Sequence, residues 1–581
     1  MEVAESNNSL AEALNAHFKT DELKPLVAAI CSEVPGTKPE RIKTLVAALM
    51  QNTEAIFAKL SPPAQHAVEE ATHTWDGLFH GRMFQAKYSA SPWLSAKDKN
   101  GQPTGEANLL GLFIIDNRIP GDLLKKLRDI VPLPPADDVR YAEAGPAVEC
   151  TVRETSGEGL ANVAMVLQLV GDKKIRVGAK TGRATAASLA MIGEQLSQGD
   201  WYNDEHIGPM QAFAWPLLLQ GGGLAKMAGT SLELSPAGVK ARKNDPAAAI
   251  KTIWNKWEKS TFHDEFSRVT AIKGQKSKSG RTMTSPARRR PMINMLLEEL
   301  IPGQWIAIDE LARLFQSDSE FSFSMTNYDW KLYFFDQQYG HLDYHDTWPL
   351  LQLRYLLVYL FEYCATLGLI DIAYTDPRFA RPEFRSCWGA DDLEFLSHCD
   401  GLRYIRVNDL GAYVFGHRDT FSKARDTQAI YDFDGRDIVF VGDSEISPGQ
   451  TLYLDKIGKR REVDRWQLSA ATLLKAISGG ESLADIQTTL VTASAAPFTQ
   501  ELEQLFREVE QRSTAFVEVG RTALIECSSE MRQQVLTNKK TNRLCMPAGD
   551  RYLVIFPGKE KSFVSAIEAL GYSISLDPRL Q

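Results

Sequence analysis

Apolar and polar positions along the chain fall into a phrase that occurs twice. An apolar helix runs into a glycine turn, a β-rich pair follows, and a polar residue then precedes a short helix. The first copy runs from Trp215 through Gly221, Gly222, Gly223 and Leu224 to Leu232, Ser235 and Gly238. The second runs from Leu356 through Gly368 and Leu369 to Tyr404, Asn408 and Gly411. Upstream of the first copy, Val163 to Val170 predicts an apolar helix, and a further helix extends to Leu196. Upstream of the second, Met292 to Leu300 predicts a helix. A turn at Pro302 and Gly303 then leads into a capped helix over Asp309 to Phe315. At the N-terminus, Leu23, Leu26, Val27 and Ile30, then Ile42, Leu45, Val46 and Leu49, recur at helical spacing on either side of a break at Val34 to Pro39.

These patterns divide the chain into a helical hairpin over 1–50, a helical, winged-helix-like unit over 51–140, and domains over 145–268, 291–424 and 425–581. The hairpin is read as a plain cap on the next domain, with similarity to a SAP-type DNA-binding hairpin as the sharper alternative. Within 51–140, Asn108 to Ile115 reads as a buried strand-like run, and Ile119 to Leu127 as a helix with proline near its start. Val131 to Asp138 reads as a proline-rich linker. The C-terminal region predicts short strands at Ile438 to Asp443, Ala515 to Val519, Ala523 to Cys527 and Tyr552 to Phe556, with helices ending at Ile477, over Ser482 to Leu490 and over Lys561 to Leu570. The fold class expected is α+β, predominantly α. Each repeated phrase resembles the end of a winged-helix domain, which makes residues 145–268 and 291–424 tandem winged helices.

A chain of 581 residues has room for three to five domains, each with its own core. Its net charge of -9 argues against a protein that coats DNA, so any nucleic-acid contact has to be local. Two segments qualify. Lys173, Lys174, Arg176, Lys180 and Arg183 precede a helix start, where free N–H groups favour phosphate. From Ala271 to Leu297 the basic residues Lys273, Lys276, Lys278, Arg281, Arg288, Arg289 and Arg290 occur with no acidic one between them. Glycines and serines in this stretch make 269–290 a basic flexible linker. It is read either as a solvated tether or as an arm that orders on phosphates.

No catalytic pattern competes. Gly178 to Gly182 lacks the spacing of a triphosphate loop, and Gly221 to Gly223 suits a reversal after a helix. His341, Asp343, His345 and Asp346 cluster within one loop, which suits a polar surface turn better than a metal site. The pairs Asp432/Asp434 and Asp391/Asp392 lack the Glu-x-Lys that metal-dependent nucleases place downstream. No catalytic residue, metal or cofactor is therefore assigned. Seven cysteines without a Cys-x-x-Cys pair suit reduced thiols. With no long apolar run and no signal pattern, a cytoplasmic protein is expected. The aromatic insertion from Phe321 to Pro349 reads as core filling or as a docking surface.

The run from Arg465 to Ile486, with Pro497 to Leu502 and Ala569 to Tyr572, resembles the helicase-associated domain at the N-terminus of XPB-type helicases. Lys173 to Ala187, Gly199 to Tyr202, Ala214 to Leu219 and Ile119 to Leu123 are similar to the winged-helix portion of bacterial proteins that carry this domain without a motor. The resemblance implies a DNA-binding or adaptor protein, accessory to a helicase or to a multi-subunit DNA-processing system, genome defence among them. It implies no catalytic residue. The sequence lacks both a Walker A loop and an Asp-Glu-x-His box, so a partner would supply any motor. A protein–protein scaffold without DNA contact is the alternative.

Overall fold

The computed structural model describes residues 8–93, 108–277, 280–327, 331–335, 340–342, 345–421, 430–441, 446, 448–494, 496–516 and 522–575. The chain is mixed α+β with helix predominating, and it divides into two units. One comprises 1–427 with 447–452, and the other comprises 428–446 with 453–581.

The first unit begins with α1 (Leu10–His17), α2 (Thr20–Ile30), α3 (Lys38–Gln51), α4 (Thr53–Phe57), α5 (Pro62–His73), α6 (Gly81–Tyr88) and α7 (Gly121–Ile130). Leu10, Leu14, Leu23 and Leu45 share one core with Val68, Phe113, Leu123 and Leu127. The N-terminal hairpin is thus continuous with the helices after it. Its basic turn is partly consumed inside, because Arg41 is buried and donates to the carbonyls of Pro35 and Thr20 at 2.7 and 2.6 Å. The expected strand-like run at 108–115 is instead a 3-10 turn over Leu109–Leu112 followed by a tight Ile115–Arg118 bridge. Asn108 starts that turn by accepting from the Leu110 N–H, which gives the backbone a local partner in place of a sheet. The proline-rich stretch after α7 is pinned: Asp137 pairs with Arg313 and accepts from Ser317.

The repeated phrase becomes a repeated element order. The first copy is α8 (Ser156–Gly171), an extended segment at Ile175–Val177, α9 (Ala186–Gln195), α10 (Gln211–Gly221), the hairpin β2 (Ala225–Ala228) and β3 (Ser231–Leu234), and α11 (Pro236–Lys243). Strand β1 (Thr151–Arg153) precedes it, and α12 (Pro246–Trp257) follows. After a short hairpin, β4 (Lys276–Ser277) and β5 (Gly280–Arg281), the second copy begins with α13 (Pro286–Glu299), β6 (Trp305–Ala307), α14 (Ile308–Ser317) and α15 (Gln352–Val358). A wider turn, Tyr359–Cys364, prolongs α15; then come β7 (Ile370–Tyr374), β8 (Leu402–Val407) and α16 (Asp409–Phe415).

The two copies agree in backbone detail. Gly223 and Gly368 both take left-handed φ, 72° and 78°, to reverse the chain out of the helix. The N–H groups of Ser235 and Asn408 then donate to the carbonyls of Leu224 and Leu369, and their side chains cap Gly238 and Gly411 at 3.0 Å. A Cβ on either glycine would collide with that same leucine carbonyl. Both third helices lie inside the core. Trp215, Leu217, Leu218 and Leu219 of α10 are buried, as are Leu353 to Cys364 on and beyond α15.

The second unit holds β9 (Tyr431–Asp434), β10 (Asp437–Phe440), α17 (Pro448–Ile457, whose first turns belong to the first unit), β11 (Gly458–Glu462), β12 (Arg465–Leu468), α18 (Ala470–Ser478), α19 (Leu483–Thr492) and α20 (Gln500–Ser513). Its sheet order is β11-β12-β10-β9, all antiparallel. Trp466, Leu473 and Leu505 fill the core beneath that sheet. A smaller core follows, built from β13 (Leu524–Glu526), α21 (Ser529–Thr537), β14 (Cys545–Ala548), β15 (Tyr552–Ile555) and α22 (Glu560–Ala569). Of the expected strand at 515–519, residues 517–519 lie outside the described residues, as do Asp343, Lys278, Tyr328 and Trp330. Among the described residues no helix is long and apolar enough to cross a membrane.

Candidate nucleic-acid interface

The exposed basic turn owes its shape to strand alternation. Ile175 and Val177 point into the core, so Arg176 between them points out. The segment is held against the hairpin by Leu232 N–H donating to Ile175 O at 3.0 Å and Val177 N–H donating to Thr230 O at 2.9 Å. Beyond it, Gly178 N–H donates to Arg183 O and Gly182 N–H donates back to Gly178 O, both at 2.9 Å. The Gln220 side chain, from the end of α10, fixes this turn by donating to Gly182 O at 2.9 Å. Lys174, Arg176 and Lys180 are left in solvent. Lys173 pairs with Glu233 of β3 at 2.7 Å, which holds the Glu233 carboxyl below its ordinary range. Arg183 is half-buried, donates to Ser267 Oγ at 3.0 Å and lies over Phe213.

The second basic segment is not a flexible linker throughout. Lys273 is exposed, and its backbone pairs with Tyr333. Lys276 is exposed on β4, and Arg281 belongs to β5. Arg288 faces solvent from α13, but Arg289 and Arg290, its neighbours, are fully buried. Arg289 pairs with Asp264 at 2.6 Å and lies over Tyr355, and Arg290 pairs with the buried Glu265 at 2.7 Å. Arg290 also donates to the carbonyls of Trp257, Ser260 and His263 and lies over the Trp257 ring. Neither guanidinium is open to solvent. Their planar forks satisfy a loop that the acidic pair Asp264–Glu265 brings inside, a role sequence alone did not expose because those partners lie some 25 residues upstream.

In their place the fold brings up residues from three separate segments. Lys226 and Met227 are exposed on β2, Lys256 is exposed at the end of α12, and Lys259 and Phe262 are exposed in the loop after it. A Cβ on Gly182 would come within 2.9 Å of the Phe262 ring and 3.3 Å of Met227 Sδ, so turn, hairpin and loop meet at this glycine. Nothing local in sequence marks Phe262. Lys226 was accessible from the hairpin pattern once the β2 register was known.

Two alternative chemistries are weaker. The N-terminus of α10, which would face DNA in a reading helix, is filled by Asp200. Its carboxylate accepts from the N–H groups of Met210, Gln211 and Ala212 at 3.0, 2.8 and 3.3 Å. Burial nonetheless raises the Asp200 pKa above its ordinary value. Elsewhere Glu362, His398 and Cys399 place their ligand atoms within 4.8 Å of one another. Arg268 already neutralises that carboxylate at 2.8 Å, and burial pushes the Cys399 thiol up, so the group is suited to an ion pair rather than a cation. No protein-family model matches the chain, and no curated protein matches it.

Proposed function

We propose that the chain is a non-enzymatic nucleic-acid-binding adaptor built on two fused winged-helix modules, which grips phosphates with the turn and hairpin of the first. The observation that carries this reading is the exposure of Lys174, Arg176, Lys180 and Lys226 on adjoining strands and turn, while α10 is buried behind them. In a winged helix the third helix normally reads base edges in the major groove. With α10 and α15 withheld in the core, what remains is backbone contact, which adds affinity without sequence preference. The net charge of -9 confines that contact to one face. The resemblance of residues 465–486 to a helicase-associated domain suits an accessory role beside a helicase or another DNA-processing subunit.

A second reading, a protein scaffold, has its own observation. Phe335 is 79% exposed and packs edge-on against Trp388 at 6.3 Å, the kind of surface pair that anchors protein interfaces. Fluorescence anisotropy with short single-stranded and duplex DNA across a salt series separates the two. Four phosphate contacts predict a log–log salt slope of about -3.6 on duplex and about -2.8 on single strands. The combined K174E, R176E, K180E and K226E variant is expected to bind more than about tenfold more weakly. Absence of binding by the wild type at the lowest salt overturns the proposal and leaves the scaffold.

A further inference from the structure

We infer that this face takes a single strand of nucleic acid and that Phe262 is the platform on which a base stacks. The inference rests on the phosphate-gripping reading above. Its own ground is the way one ring is held outside.

Phe262 lies in the loop that leaves α12, and it is 43% exposed, whereas His263 beside it is 6% exposed. The reversal is enforced from beneath. Arg290, at 0% exposure, donates to the carbonyl of Ser260 at 2.6 Å and to that of His263 at 2.9 Å, gripping the backbone on both sides of Phe262. The Phe262 N–H donates to Ser260 Oγ at 3.2 Å, which fixes the loop once more. A ring exposed by default would sit in a loop with few buried ties. This one is set on a rigid base, so ordering it on a ligand costs little.

The surroundings say what the ligand is. The ring edge reaches Gly182, in the turn that carries Lys180, and Met227 Sδ reaches the same glycine from β2, on the strand face opposite Lys226. Lys256 and Lys259 flank the loop on its own chain. The nearby carboxylates are engaged elsewhere: Asp264 holds Arg289, Glu233 holds Lys173, and Glu258 accepts from Asn294. A small apolar island among lysines has no use for a duplex, whose base faces are already stacked. A single strand offers both phosphates and open base faces. DNA and RNA share this chemistry.

The test compares labelled oligothymidylate and oligouridylate of about 12 nucleotides with a duplex of equal length, by anisotropy at low salt. Single strands are expected to bind more tightly than the duplex. F262A should weaken them by roughly tenfold and change duplex binding by less than about twofold, and F262Y should restore the loss. Oligodeoxyuridylate set against oligouridylate then identifies the sugar preferred, since those two differ only at the 2′ position. Crosslinking with an iodouracil-substituted strand should mark the peptide containing Phe262. Single-strand binding that F262A leaves unchanged, or crosslinks only outside that loop, overturns the stacking platform while the phosphate reading stands. No binding of any probe overturns both. Because the ring is only partly covered, by Gly182 and Met227, F262A should melt within a few degrees of wild type and stay folded under the binding conditions, so a loss of binding reports on the site.

Discussion

The two copies of the helix–strand–helix–helix–hairpin order put the same backbone to different use. In the second, β7 is covered on its outer side by β1 and on the other by β8, and all five of its residues are buried. Its hairpin has become the centre of a four-stranded sheet, stitched by the buried Asp371. That carboxylate accepts from Thr155 N–H, Asn408 Nδ2 and Arg406 at 3.0, 2.9 and 2.7 Å. In the first copy no strand among the described residues pairs with the outer edge of β2, and Lys226 and Met227 stay exposed. A single added strand separates a structural hairpin from an available one. Lysine on such an edge also discourages strand addition, so Lys226 keeps that edge from pairing with another chain.

The sharpest way to break this comparison is through the loop beneath the first copy. Replacing Arg290 by alanine would leave the fully buried Glu265 with only the Tyr355 hydroxyl, the Trp257 carbonyl with only the Ser260 N–H, and the Ser260 and His263 carbonyls without the donor that grips them. A buried pair broken from one side costs about 3–5 kcal/mol. Chemical denaturation should show a loss of that size for R290A and almost none for R288A, on the same helix but exposed. Equal, small losses would mean that the buried network contributes little and that the loop holds itself.

A middle-sized effect asks whether the copies are equal. Gly238→Ala and Gly411→Ala each set a Cβ against the carbonyl of the leucine that follows the glycine turn. Overpacking of this kind costs about 1–3 kcal/mol. Matching losses in urea midpoints are expected, since the clash is with backbone in both. A much smaller loss for G238A would show that the first copy, with its open hairpin, yields where the sheet-bound second cannot.

Much of this frame was legible, and the reason is periodicity. Leu23 to Leu49 and Val163 to Val170 declare helices by spacing, and Ser235 and Asn408 declare the helix starts by type. The repeated phrase survives as geometry because glycine alone fits where the backbone crosses the Leu224 and Leu369 carbonyls. What the pattern hid was burial of charge. Arg288, Arg289 and Arg290 look alike in sequence, yet helical rotation turns the last two onto Asp264 and Glu265, partners set by tertiary contact. Phe262 was hidden for the converse reason: an isolated aromatic in a polar loop gives no period, and only the clamp beneath it shows that it is held outward. The Asn108–Ile115 run misled because apolar content marks burial, and a 3-10 turn buries it as well as a strand does.

The smallest effect is a pH dependence confined to the same loop. His263 is buried among Trp257, Tyr363 and Phe213, and its pKa lies well below its ordinary value. Burial is the main cause, with Arg183, Arg290, Arg268 and Lys276 adding repulsion. The folded state therefore holds the ring neutral, while the unfolded chain takes up a proton near pH 6.5. Stability from this residue is complete above that value and is lost as pH falls below it, by about 0.7 kcal/mol between pH 7 and pH 6. Guanidinium titrations at the two pH values should show that increment in wild type and its disappearance in H263F, which keeps a ring in the slot and removes the titration. Retention of the full slope in H263F would assign it to other groups. Its disappearance would assign the increment to His263, and because the folded ring stays neutral across this range, oligothymidylate affinity should be the same at the two pH values.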